Sequence, residues 1–347
     1  MGVDLGDLSI KHKASVADFS GKPIAIDAMN MLYQFLASIR QEDGTPLKDF
    51  KGRITGHLSG LFYRTAKLAS GGLKPVYVFD GRPPSFKEKE IEERRKVKKE
   101  AEMKWKKALE EEKFEEAKRY AQGTSRLTKE MVIESKDLLS ALGIPWIQAP
   151  SEGEAEAAEL VKKGVCYASA SQDYDSLLFG SPILVRNLSI TGRRKVPRQN
   201  RYVNVEPEII KFEETLNTLG ISRGQLILIG LMAGTDFNAG VRGVGAKTGL
   251  KIVKEHPTLD DVKKYVKEKY DYEFEENIDE VYDFFVNPPL NKETRPLEWR
   301  EANPEAVKEL LVKQHDFSEE RVGNTLEKMM GVIQEAESQK TLDKWFG

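Results

Sequence analysis

A chain of 347 residues, 39% hydrophobic and 32% charged, has a globular composition and is long enough for one large α/β unit or two to three domains. Its net charge of −2 excludes a globally basic nucleic-acid binder, so any phosphate contact must come from local patches. A single cysteine, Cys166, excludes an internal disulfide framework and fits a reducing compartment, and no apolar run approaches the roughly 20 residues that span a bilayer.

The first ten residues, MGVDLGDLSI, carry no basic region followed by an apolar run, and Gly6 stands where a myristoylation motif needs Ser or Thr. A cytoplasmic or nucleoid-associated protein is expected, nuclear if the source is eukaryotic and not secreted. KPIAID, Lys22 to Asp27, predicts a strand ended by an aspartate, and MNMLYQFLASIR a helix with Met31, Leu32, Phe35 and Leu36 on one face. A second amphipathic helix over 56–69 leads to KPVYVFD, another strand ended by an aspartate, Asp80. Strand, helix, helix, strand predicts a βαβ-type, mostly parallel sheet flanked by helices.

From Pro83 to Gln122 the chain is almost continuous charge on good helix formers, and Lys87 to Lys107 hold ten Lys or Arg against six Glu. Charge runs are usually solvated helical projections; the functional reading is an insertion that grips phosphates. A helix over 129–142 and a strand in GIPWIQAP follow. The stretch PSEGEAEAAELVKKGVCYASASQDYDSLLF, 150–179, places Glu152 and Glu154 at the start of a helix and Asp173 and Asp175 after a predicted strand, Val165 to Ser171. In extended chain residues two apart point the same way, so these two aspartates would address one spot. Taken singly, each acidic pair also has a plain reading: Ser151 with Glu154 as a capping box, and QDYDS as a turn. Taken together, strand-end carboxylates Asp27, Asp80 and Asp173 at one edge of a parallel sheet, within reach of Glu152 and Glu154, point to a site for hard divalent cations.

Downstream, PILVRNLSI predicts a strand, TGRRKVPRQNRYVNV a basic hairpin, and 225–232 a buried helix that runs into Gly234, Thr235 and Asp236. NAGVRGVGAKTG matches neither a Walker loop, because Ala246 separates Gly245 from Lys247, nor a dinucleotide fingerprint. What remains is a helix, a glycine hairpin around Gly243 and Gly245, and a second helix, able to offer backbone N–H groups to the phosphates of one DNA strand. Beyond Asp260 charged helices pack around Pro288 and Pro289, and there is no internal repeat.

In combination and in order, MGVDLGDL, IDAMNMLYQFL, YVFDGRPP, PSEGEAEAA, SASQDYDSLLFG, GTDFNAGVRGVGAKTG and QKTLDKWF resemble the structure-specific 5′ nuclease family, and most closely the flap endonucleases of archaeal and eukaryotic type. The resemblance covers essentially the whole chain. It implies one nuclease domain over 1–337, with an N-terminal half to 105, a helical arch over about 83–130, an internal half over 122–262 and C-terminal helices over 263–337; a tail, 338–347, follows. It implies that Asp27, Asp80, Glu152, Glu154, Asp173, Asp175 and Asp236 hold two Mg²⁺ ions, with Mn²⁺ as an alternative, and that Lys87 and Arg94 meet the scissile phosphate from the base of the arch. Tyr33 would stack on a base near the cut, and Arg40 and Arg64 would contact DNA. Gly234, Asp236, Gly243, Gly245 and Lys247 would serve the module that holds downstream duplex, where a monovalent cation can bind. Gln339, Leu342, Trp345 and Phe346 resemble the peptide by which replication proteins bind the sliding clamp. The long basic tail of eukaryotic relatives has no counterpart in the sequence.

The expected reaction is therefore phosphodiester hydrolysis of branched DNA at a 5′ flap, with 5′ exonuclease activity, leaving 5′-phosphate ends, in Okazaki-fragment maturation and base-excision repair. No histidine is needed as a base, and His12, His57, His256 and His315 all stand outside the acidic set. Three alternatives belong beside it: another branch of the family (a bubble or junction nuclease or a processive 5′ exonuclease), a metal-dependent RNase, and a non-catalytic DNA-binding scaffold. The last fits poorly, since each carboxylate would cost such a surface affinity for phosphate.

Overall fold

The computed structural model describes residues 3–190, 192–195, 202–293 and 296–346; within these the side chains of 88–90, 93, 193–195, 202 and 335–346 stay outside the description. The strands are β1 (Lys11–Lys13), β2 (Pro23–Asp27), β3 (Lys74–Phe79), β4 (Trp146–Gln148), β5 (Ala168–Ala170), β6 (Ile183–Arg186), β7 (Gly192–Lys195), β8 (Tyr202–Val205) and β9 (Glu208–Lys211). A seven-stranded sheet has the order β1-β9-β6-β5-β2-β3-β4, parallel from β4 to β6 and closed by antiparallel β9 and β1. β7 and β8 pair as the expected hairpin, whose basic side chains from 193 onward lie outside the described residues.

Alternation along β2 and β3 sorts the two faces. Ile24, Ile26, Tyr77 and Phe79 pack on one side against helices α1 (Ala28–Ser38), α2 (Gly56–Ser70) and, past the arch, α5 (Lys129–Ala141), whereas Ala25, Val76 and Val78 meet α6 (Gly153–Lys162) on the other. The central strand β5 is Ala-Ser-Ala and fully buried, so helices approach it closely. It is shorter than the predicted Val165–Ser171, because the chain turns at Lys163 and Gly164 and leaves the sheet again at Ser171.

The charged insertion forms two helices, α3 (Glu88–Glu110) and α4 (Phe114–Gln122). They do not stand away from the body as a solvated projection. Ala108, Ala117 and Ala121 are buried, and Trp105 Nε1 donates to Asp43 O at 3.4 Å. Small alanines let the pair close with little apolar surface, which is why charge-dominated sequence still packs.

After β5 come the short α7 (Asp175–Leu178), α8 (Phe212–Leu219) and α9 (Arg223–Ala233), the glycine hairpin, α10 (Ala246–Glu255), α11 (Leu259–Tyr270) and α12 (Ile278–Val286). These build a second apolar cluster around Leu178, Leu228, Ile229, Val253 and Phe285. α13 (Pro304–Lys308) and α14 (Glu319–Phe346) return to the α2 face. No single described helix is long and apolar enough to cross a membrane.

Candidate active site

The carboxyl ends of β2, β3 and β5 bring the predicted acidic side chains to one edge of the sheet, though not always by the predicted local geometry. Asp27 closes β2 and also caps α1, its Oδ1 accepting from Asn30 N–H at 2.9 Å. The Asn30 amide then donates through Nδ2 to Asp173 Oδ2 at 2.7 Å, tying two strands' carboxylates together. Asp80 follows β3, and its Oδ1 accepts from Gly153 N–H at 2.7 Å, at the N-terminus of α6. A Cβ at Gly153 would sit 2.8 Å from that oxygen and 3.2 Å from Val78 O, so a side chain there would push the Asp80 carboxylate aside.

Two local readings are corrected. The residue preceding α6 is Glu152, not Ser151, and its side chain makes no capping hydrogen bond, so the Ser151–Glu154 box does not form. Asp173 and Asp175 are not on extended chain either, because Asp175 opens α7 and a turn, not strand alternation, aims the two carboxylates. Glu154 accepts from Ser176 Oγ at 3.0 Å, and Asp175 Oδ1 accepts from Val3 N–H at 2.9 Å. The amino-terminal segment thus reaches into the site.

Asp236 comes from the other half. Gly234 (φ 94°) ends α9, and Thr235 and Asn238 bond each other through their side chains at 2.8 Å, presenting Asp236 on a tight turn. Arg94 on α3 pairs with Asp236, and Lys87 Nζ donates to both oxygens of Glu152 at 2.9 and 2.7 Å. Both basic residues of the arch base therefore lie among the carboxylates.

Crowding shows in the protonation equilibria. Burial, and then Asp80, push Asp27 well above the usual carboxylate range, while burial, and then Asp175, do the same to Glu154. Asp175 is pushed up to about 7 by burial and by Asp236. Burial also raises Asp80 and Glu152, against the opposing pull of Lys87. Burial would raise Asp236 too, but Arg94 beside it holds it below its ordinary value. Lys87 loses by burial and gains more from Glu152, so its pKa is raised and it stays charged.

Among the described residues, no three acidic, histidine or cysteine side chains converge on a single chelating point. The donor set nevertheless fits hard divalent cations: it consists of oxygen ligands, no sulfur or imidazole stands among them, and so much buried negative charge requires protons or cations to match it.

Phe86, just before Lys87, was not singled out in the sequence. Its ring lies 5.6 Å from Phe237 and 5.4 Å from Phe284, and Lys87 Nζ lies 5.1 Å from the Phe237 ring. This aromatic cluster locks the arch base to the turn that carries Asp236. The available signal was position, since Phe86 is the one aromatic between the YVFDGRPP motif and the charge run.

The expected DNA contacts fare differently. Tyr33 on α1 is 37% exposed, with Lys98 Nζ 4.9 Å from its ring. Arg40 is half-buried, and its guanidinium donates to Leu36 O and Gly44 O, each at 2.9 Å, and to Ser125 Oγ at 3.0 Å. Arg64 is half-buried on α2. Gly243 (φ 84°) and Gly245 would meet nothing within 4 Å of an added Cβ, leaving the hairpin backbone open, while Lys247 pairs with Asp7 at 2.9 Å on the surface. The backbone of Gln339, Leu342, Trp345 and Phe346 continues α14; their side chains lie outside the described residues.

Two regions match family models, the XPG N-terminal domain over residues 5–101 and the XPG I-region over residues 143–236. The chain is 51% identical to a flap endonuclease 1 from Thermococcus onnurineus over 348 residues, covering 100% of this chain and 99% of the relative. A solved flap endonuclease-1 from Methanococcus jannaschii superposes with a TM-score of 0.74 at 40% identity, covering 96% of this chain and 100% of that one. The catalytic core of Rad2 in complex with DNA substrate shares the fold at 23% identity, with a TM-score of 0.69 over 93% of this chain and 97% of that one. Full-length identity, both XPG regions in order and the shared fold agree: this chain belongs to the flap endonuclease family.

Proposed function

We propose that the carboxylate edge of the sheet is where this structure-specific 5′ flap endonuclease hydrolyses DNA phosphodiesters. The supporting observation is the convergence of buried Asp27 and Asp175 and half-buried Asp80 and Glu154 with the arch-borne cations Lys87 and Arg94. Mg²⁺, or Mn²⁺ in its place, supplies Lewis acidity and lowers the pKa of attacking water when bound. The protein's own residues do the rest. Asp27, Asp80, Glu152, Glu154, Asp173, Asp175 and Asp236 would hold the cations, and Asn30 and Gly153 N–H fix Asp173, Asp27 and Asp80 in orientation. Lys87 and Arg94, paired with carboxylates here, would exchange those partners for the scissile phosphate and meet the charge that develops on it. Tyr33, exposed one helical turn from Asn30, would stack on a nucleobase beside the cut, and the open backbone of Gly243 and Gly245 at the start of α10 would take phosphates of the duplex.

Asp80→Ala and Asp175→Ala should each abolish cleavage of a labelled double-flap DNA in Mg²⁺, while binding persists or improves because repulsion of phosphate is relieved. Turnover by both variants at the wild-type rate under saturating Mg²⁺ would remove the cluster from the chemistry. The same DNA with matched bubble, nicked and RNA controls separates flap cleavage from the other branches of the family.

The tail from Ser338 extends this reading to a partner, the replication sliding clamp. Leu342, Trp345 and Phe346 fall at i, i+3 and i+4 of the α14 backbone, an apolar plug of the size a surface pocket takes, with Gln339 one turn earlier. Deleting 339–347 should leave basal flap cleavage intact and remove stimulation by the clamp; undiminished stimulation refutes the assignment.

A further inference from the structure

Strand β4 is the open edge of the seven-stranded sheet, and a cavity of about 590 Å³ lies along its outer side. Tyr77 N–H donates to Pro145 O at 3.1 Å and Ala149 N–H to Phe79 O at 2.9 Å, in register with Tyr77 opposite Trp146 and Phe79 opposite Gln148. In a parallel ladder alternate residues face the partner strand, so 145, 147 and 149 turn inward and Trp146 and Gln148 turn their N–H and C=O outward. The segment after α12 crosses this edge at two points. Asn291 Nδ2 donates to Gln148 O at 3.0 Å, and Arg300 N–H donates to Gly143 O at 2.9 Å. Between the crossings, roughly 16 Å apart at about 3.3 Å per residue, the N–H and C=O of Trp146 have no hydrogen bond among the described residues.

Among the described residues the lining carries more acid than base, with Lys136 Nζ donating to Gln148 Oε1 at 2.6 Å beside it. Ile144, Trp146 and Leu297 supply apolar walls, while Glu156, Glu293 and Glu298 supply carboxylates; Arg300 is paired with Glu298 at 2.7 Å. Glu156 is only 3% exposed, and Oε2 accepts from Asn291 N–H at 3.0 Å, whereas Oε1 takes no hydrogen bond among the described residues. A short edge strand crossed by a strap is a common guard against edge-to-edge aggregation, and that reading explains the two crossings. It does not explain a buried carboxylate with an open oxygen beside an unpaired strand.

We propose that this groove docks a short, extended, basic segment of a partner protein. The segment adds as an outer strand through the N–H and C=O of Trp146 and directs a Lys or Arg side chain to Glu156, with Glu293 and Glu298 at the rim. Three or four residues fill the interval between the crossings, which limits the contact to a weak, exchangeable one.

The test uses the full chain and a fluorescein-labelled, acetylated and amidated hexapeptide alternating Val and Lys, beside its counterpart with Glu in place of Lys. Anisotropy should show the Lys peptide binding about tenfold or more tighter, with Glu156→Gln and Glu293→Lys each weakening it by about fivefold. Amide hydrogen exchange at 144–148 should slow on binding, and Trp146→Pro, which removes the outward N–H at an edge position that tolerates proline, should abolish that protection. Circular dichroism melting reports whether each variant is folded; if Trp146→Pro is not, the two glutamate variants decide. Equal binding of the two peptides, indifference to Glu156→Gln and Glu293→Lys, or protection confined to residues around Asp80 and Asp175 overturns the proposal, the last by assigning the peptide to the acidic cluster. Flap cleavage enters none of these readings, so failure here leaves the assignment of the carboxylate edge standing.

Discussion

At the scale of single residues, Asn30 does work that the acidic residues cannot do for themselves. Buried Asp27 and half-buried Asp173 repel, and its backbone N–H and side-chain amide hold them at 2.9 and 2.7 Å respectively. A hydrogen bond to a charged acceptor contributes roughly 1.5–3 kcal/mol. Asn30→Ala should therefore leave the fold intact and raise the Mg²⁺ concentration needed for half-maximal flap cleavage by about tenfold or more, with DNA affinity in Ca²⁺ little changed. An unchanged Mg²⁺ titration would reduce Asn30 to a helix-start residue. Arg40, expected from the sequence to contact DNA, spends donors on Leu36 O, Gly44 O and Ser125 Oγ within the protein.

Among the elements, the arch base depends on aromatic packing rather than on charge. Phe86 stacks edge-on against Phe237 and Phe284, and the same short stretch sets Lys87 over Glu152. Truncating a packed Phe removes roughly 3–5 kcal/mol of contact where the site is fully buried and less where it is half-exposed, as here. Phe86→Ala should slow single-turnover cleavage by about tenfold or more while ground-state DNA binding changes little, because the loss falls on the placement of Lys87. Phe86→Leu, which restores much of the apolar contact, should recover most of the rate; failure of that rescue would mean that ring geometry, not burial, fixes the base.

For the molecule as a whole, α2, α5 and the segment before α14 are joined by a buried polar network. His57 Nε2 lies 2.9 Å from Glu134 Oε2, His315 Nε2 lies 3.4 Å from Glu134 Oε1, and His315 Nδ1 lies 3.2 Å from Asp49 Oδ2. Burial alone would raise Glu134, but His315 and His57 beside it hold it down from an ordinary 4.5 to about 2. A folded-state pKa below the unfolded one stabilises the native state above the unfolded value, and the contribution fades as pH falls from about 4.5 toward 2. The carboxylate edge titrates in the opposite sense, so wild-type stability alone mixes the two. The clean measurement is the difference in melting temperature between wild type and Glu134→Gln, which should be largest near neutrality and shrink below about pH 4.5. A difference independent of pH would mean that Glu134 acts by packing.

Strand-ending Asp27 and Asp80, the parallel order and the helix–glycine hairpin–helix were all legible, because alternation, turn chemistry and helix periodicity are written in neighbouring residues. That the acids gather at one edge followed from the parallel sheet, and Asp236 from family resemblance alone. How the side chains are aimed was not legible. Asp173 and Asp175 are oriented by a turn, Glu152 replaces Ser151 before α6, Val3 and Asn30 reach Asp175 and Asp173 from distant sequence positions, and Phe86 packs on the equally distant Phe237. The physical reason is that orientation at the site is set by long-range hydrogen bonds and ring contacts, such as Val3 to Asp175 across 172 residues, which leave no periodic trace along the chain. The sequence by itself determined which chemical groups are present and on which elements they ride; only the tertiary structure decided which of them meet, because the cost of burying like charges is offset by partners that the fold alone brings near.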